Sequence, residues 1–158
     1  MEEIQYKKLV TNAYMPAKTN PGDAGYNIRA IERTVIRPYS MGKIRTGIAI
    51  NVPDGFELQI RGKTNVAVEK GLAIAQGIGT IDKDYKDEVI VLLRNIEAFS
   101  KIVEAGEIIA QFILSEVPEA VWTEIDMIKE PPKRNPSTKK IEVPKNPVGG
   151  VDVVKSKK

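Results

Sequence analysis

The feature that most constrains this chain is its punctuation. Short runs rich in Ile, Val and Leu recur roughly every ten residues, and turn residues separate them. The runs cover residues 35–36, 47–52, 56–60, 89–93 and 108–114. The breaks are NPGD at 20–23, PDG at 53–55 and EAG at 104–106. FELQI at 56–60 alternates apolar and polar, as a half-buried strand does. A further strand ends at Ile81. Residues 65–70 read as a short helical turn, and no long helical period is present. The pattern predicts an all-β fold, a distorted jelly-roll sandwich or barrel.

Length and composition set the outer limits. The chain has 158 residues, 42% of them hydrophobic, which suits one domain with a full core. A body of residues 1–128 is expected to give way to a Pro/Lys-rich arm at 129–158, extended and mobile. Five of the ten prolines fall in the stretch PPKRNPSTKKIEVPKNP. The arm holds nine Lys/Arg against three Asp/Glu, leaving the body with 15 against 18. A nearly balanced body argues against specific nucleic-acid binding. There is no cysteine and no histidine. Disulfides, the usual zinc sites, Cys nucleophiles and Ser-His-Asp arrangements are therefore excluded. Acid–base chemistry falls to carboxylates, Lys or Tyr. No run is long and apolar enough for a membrane span, and MEEIQYKK lacks a signal-type apolar core. The expectation is a cytoplasmic protein, intracellular and without membrane association.

Six segments fall in a distinctive order. They are PGDAGYN (21–27), TGIAINVPDGFE (46–57), RGKTNVAVEKGL (61–72), GTIDKDYKDEV (79–89), GEIIAQFI (106–113) and VGGV (148–151). Their order and spacing resemble the trimeric dUTPase family, across essentially the whole chain. The pattern G-x-I-D-x-x-Y is the most specific part. The resemblance implies hydrolysis of dUTP to dUMP and pyrophosphate by a homotrimer, with Mg²⁺ on the phosphates. It places Asp82 as the base that activates water for attack on the α-phosphorus. It places Tyr85 against the deoxyribose. The strand-like AIAQGI (73–78) lines the uracil slot together with Gly79 and Ile81, with Gln76 where the family commonly has Asn. Lys63, Thr64, Asn65 and Gln111 meet the phosphates, and Gly149 and Gly150 approach from the arm.

Three segments depart from the family pattern. Asn27 stands where an Asp usually helps to hold the hydrated metal, so an indirect metal contact through water there would lack a charge. Lys63 replaces the usual Arg and keeps a positive charge without a bidentate fork. In the arm, Val151 replaces a stacking aromatic and Asp152-Val153-Val154 replaces a phosphate-cradling Gly-Ser-Thr. These losses motivate an alternative: a catalytically weakened relative that binds a nucleotide or a partner protein and regulates. A dCTP deaminase is a further alternative, but Leu92 occupies that family's catalytic glutamate position and cannot carry protons.

Overall fold

The computed structural model describes residues 2–129. The chain divides into a compact unit, Met1–Ala120, and a second, Val121–Lys158. Residues 121–129 of the second unit form neither strand nor helix. Gly149, Gly150 and the rest of the arm beyond residue 129 lie outside the described residues.

The first unit is nearly all-β. Its elements are β1 (Gln5–Lys8), β2 (Tyr26–Arg29), β3 (Thr34–Ile36), β4 (Met41–Arg45), β5 (Ile48–Asn51), β6 (Phe56–Arg61), α1 (Thr64–Lys70), β7 (Leu72–Ile74), β8 (Gly79–Ile81), β9 (Ile90–Asn95), β10 (Lys101–Val103) and β11 (Ile108–Glu116). Every pairing is antiparallel. The strands form sheets in the orders β2-β11-β6-β8, β4-β9-β7, β1-β5 and β10-β3, a distorted jelly roll.

Period-two patterning places the core. In β6, Leu58 and Ile60 are buried between half-exposed neighbours. In β4, Gly42 and Ile44 point inward while Lys43 and Arg45 remain exposed. In β9, Val91, Leu93 and Asn95 are buried. Leu58, Ile60, Ile44, Val91 and Leu93 join Ile28, Ile109 and Phe112 in one contiguous apolar cluster. α1 is the short helix foreseen at 65–70. It buries only Val66 and stops at Gly71, whose left-handed backbone (φ 61°, ψ 33°) returns its N–H to the carbonyls of Ala67 and Val66. The extended reading of residues 73–78 is corrected. Strand β7 ends at Ile74, and Gly77, at φ 80°, donates its N–H to Ile74 O and closes a turn.

Asn95 is the polar pin of this core. Its amide donates to the carbonyls of Ile36, Arg37 and Phe99, and its oxygen accepts the N–H of Glu97. It is fully buried, so its removal would leave desolvated carbonyls unpaired. Asn95→Ala is expected to cost about 2–3 kcal/mol in chemical denaturation. A loss under about 0.5 kcal/mol would show that Asn95 does not tie β9 to the β3–β4 turn.

Candidate active site

Two clusters hold the sequence-predicted residues. The first lies where β2, β11 and β6 run level. Gln111 of β11 faces Asn27 of β2 on one side and Arg61 of β6 on the other. Just past Arg61, Lys63 begins α1 with extended backbone, and its ammonium donates to Asn27 Oδ1 at 2.7 Å. Gln111 Nε2 donates to Gly62 O at 3.1 Å. Gly25 makes room for this glutamine: a Cβ there would sit 2.5 Å from Gln111 Oε1. Thr64 and Asn65 are exposed in the first turn of α1.

Sequence reading missed the loop beneath Asn27. Asn27 is buried, and its Nδ2 donates to Thr19 Oγ1 at 2.8 Å. Asp23 accepts the backbone N–H groups of Asn20 and Thr19, at 3.0 and 3.2 Å. The Asn20 N–H lowers the Asp23 pKa below the ordinary carboxylate value. Partial burial opposes this, and the charge of Lys63 adds to the lowering. The NPGD turn signal was legible; its tie to Asn27 was not.

The second cluster follows β8. Gly79 pairs with Ile60 and Ile81 with Leu58. A Cβ on Gly79 would lie 2.9 Å from Gln76 Nε2 and 3.2 Å from Ile60 Cβ, so Gln76 folds closely over this strand. The Ile81 side chain is in the core, and β8 is the edge strand of its sheet. Asp82 is exposed as the chain leaves β8, and its carbonyl accepts the Tyr85 N–H at 3.1 Å. The Asp84 and Asp87 carboxylates are also exposed and without a hydrogen bond or ion pair among the described residues, whereas the other nearby charges are committed. Lys83 pairs with Asp54, and Lys86 donates to Asn51 Oδ1 and Lys83 O. Glu88 accepts the Gly47 N–H at 2.8 Å and pairs with Arg45 at 3.1 Å. Among the described residues, no hydrogen bond or ion pair engages the Asp82 carboxylate.

Tyr85 is about two-thirds covered, and its hydroxyl donates to Glu88 O at 2.8 Å. Burial, with the Asp87 and Glu88 charges, raises its pKa above the ordinary phenol value. The ring is therefore a neutral packing surface at physiological pH.

The two clusters stand apart within one chain. From Asn27 to the level of Ile81 is three strand spacings across the sheet and three residues along β6. That is roughly 14 Å by 10 Å. Lys63 and Asp82 do not converge in the same molecule.

A sequence profile of the dUTPase family matches residues 11–138. The chain is a member of the dUTPase family. Relatives named deoxyuridine 5'-triphosphate nucleotidohydrolase include that of Helicobacter hepaticus, 36% identical over 122 residues, covering 77% of each chain. That of Wolinella succinogenes is 34% identical over 128 residues, covering 81% of this chain and 86% of the relative. Among solved structures, a Staphylococcus bacteriophage 80alpha dUTPase mutant with dUpNHpp superposes with a TM-score of 0.76 at 22% identity. It covers 87% of this chain and 96% of that one. A mutant dUTPase from phage phi11 of S. aureus, described with a structural Mg(II) ion, gives 0.74 at 20% identity. It covers 82% of this chain and the whole of its own. These structural likenesses share the fold.

The metal position implied by the family does not fit Mg²⁺ in this dUTPase chain. Asn27 is uncharged, and the ammonium of Lys63 on its amide oxygen would repel a divalent cation placed there. Among the described residues, no group of three or more Asp, Glu, His or Cys converges.

The Tyr85 geometry has a pH consequence. A phenol whose pKa is raised by folding gives stability that is complete below the unfolded value and lost as pH rises through the folded one. Alkaline ultraviolet titration of the protein minus Tyr85→Phe should show one phenol with a midpoint above about 10. A midpoint at or below that value would contradict the packed, hydrogen-bonded ring.

Proposed function

We propose that the chain hydrolyses dUTP to dUMP and pyrophosphate, and that it does so as a homotrimer whose sites are shared between chains. The observation that carries this reading is the free carboxylate of Asp82 at the end of β8, inside the intact G-x-I-D-x-x-Y pattern of a dUTPase family member. Glu88 and Asp54 are held by cations, and of the unpaired carboxylates Asp82, Asp84 and Asp87 only Asp82 occupies the Asp position of that pattern. Asp82 is positioned by strand backbone and remains free to take a proton.

Asp82 accepts a proton from water as the water oxygen bonds to the α-phosphorus. The bond from that phosphorus to the bridging oxygen breaks, and pyrophosphate leaves with the electron pair. The neutral Tyr85 ring lies against the deoxyribose and crowds a 2′-hydroxyl, which selects deoxyribonucleotides. Gln76, with the backbone of Gly79 and Ile81, reads uracil. Lys63, Thr64, Asn65 and Gln111 hold the phosphates. Gly149 and Gly150 approach from the arm. Mg²⁺ belongs to the substrate in this reading, since a triphosphate carries it in. Among the described residues, no group of three or more Asp, Glu, His or Cys converges to hold it.

The separation of the two clusters supports the shared site. One chain offers the phosphate-facing group and the base at places too far apart to hold one phosphate chain. Cyclic assembly of identical chains lets the first cluster of one meet the second cluster of the next. Light scattering should give three chain masses; a monomer at micromolar concentration would remove the shared site.

The reading also fixes a catalytic test. Asp82→Asn keeps the shape and removes the base. Turnover of dUTP, followed as pyrophosphate release, should fall about 10²–10⁴-fold, with binding of dUpNHpp retained. Unchanged turnover would take Asp82 out of the mechanism. With the parent protein, dUTP should be preferred over dTTP, dCTP and UTP. Release of ammonia from dCTP would instead favour deamination, and tight binding without turnover would favour a regulator.

A further inference from the structure

We infer that Thr19 and Asn27 are positioning residues for Lys63, and that Asn27 holds this ammonium in place of a protein-bound metal. The inference deepens the dUTP-hydrolase reading and rests on it.

Both ends of the Asn27 amide are committed. Nδ2 donates to Thr19 Oγ1 at 2.8 Å, and Oδ1 accepts from Lys63 Nζ at 2.7 Å. Reversing the amide would aim its NH₂ at an ammonium, donor against donor. The orientation is therefore fixed by Lys63 on one side and favoured by the Thr19 hydroxyl on the other. Asn27 is buried and its strand is anchored by its own N–H on Ala17 O, so it has little room to turn away.

Thr19 is held in turn. Its N–H, with that of Asn20, donates to the Asp23 carboxylate, and Asp23 N–H returns to Asn20 O at 3.0 Å. Asp23 thus spends its hydrogen bonds on the loop that carries Thr19 and not on Lys63.

The charge balance follows. An ammonium bonded to a carboxylate is a neutral pair, whereas one bonded to an amide keeps its full positive charge. Lys63 makes no ion pair among the described residues. With one proton on Asn27, two remain for an anion. A divalent cation at Asn27 Oδ1 would instead sit beside that ammonium and be repelled. Asn at 27 and Lys at 63 are thus one device: the neutral residue points the cation and adds no charge that neutralises it.

The experiment is calorimetric binding of dUpNHpp and of dUMP, with and without Mg²⁺, to the full chain and three variants, with melting curves alongside. Thr19→Val should weaken dUpNHpp about three- to tenfold while dUMP changes less than about twofold. Thr19→Ser, which keeps the hydroxyl, should restore parent binding. Asn27→Asp should pair with Lys63, weaken dUpNHpp roughly tenfold and flatten its salt dependence. Thr19→Val binding dUpNHpp as the parent does would overturn the inference. So would Asn27→Asp binding it more tightly in Mg²⁺, which would make position 27 a metal-water contact. If Asn27→Asp does not fold, the Thr19 pair decides alone. A parent protein that binds dUpNHpp with variants unaffected removes only this inference; a parent that does not bind it removes the hydrolase reading and the inference together.

Discussion

Strand β11 is the constraint on which the rest depends. It pairs on both sides, with β2 through Asn27 and with β6 through Arg61, and Gln111 faces both. Three distant segments of sequence thereby meet at one level of one sheet. The same ladder continues through β6 to β8 and fixes where the chain leaves at Asp82. Strand spacing is rigid, so the distance between the two clusters is a property of the fold and not of side-chain choice.

Each cluster gains its character from how charges are partnered. In the loop after β8, Glu88 serves the scaffold through Arg45 and the Gly47 N–H, and its carbonyl receives the Tyr85 hydroxyl. That leaves Asp82 beside a braced aromatic, with its carboxylate unspent. At the other cluster, the loop carboxylate of Asp23 is consumed by backbone N–H groups. Lys63 then meets a neutral amide. A free anion on one side and a cation without an ion-pair partner on the other is the arrangement on which the proposed water attack rests.

Much of this was legible in the residues. The strands that alternate or run apolar, such as FELQI, stood out because burial on one face writes a period of two. Others did not. QYKK of β1 is exposed throughout and carries no apolar signal; its place is set by pairing with β5. KIV of β10 is three residues long and depends on β3. AIAQGI looked extended, but Gly77 turned it. In the site, the G-x-I-D-x-x-Y stretch announced Asp82 and Tyr85 because its members are close in sequence. The roles of Glu88 and Thr19 were hidden. Glu88 answers to Arg45 and Gly47 some forty positions away. Thr19 acts through a hydrogen bond across a loop whose course only the fold defines.

The central claim is that Asp82 and Lys63 of one site belong to different chains, and subunit mixing tests it most directly. Asp82→Asn and Lys63→Ala proteins, each nearly inactive alone, are unfolded together in equal amounts and reassembled. Shared sites predict that turnover returns, because about a quarter of the sites then combine an intact Asp82 with an intact Lys63. If both residues served the same chain, every site would carry one defect, and a mixture no more active than its components would contradict the account.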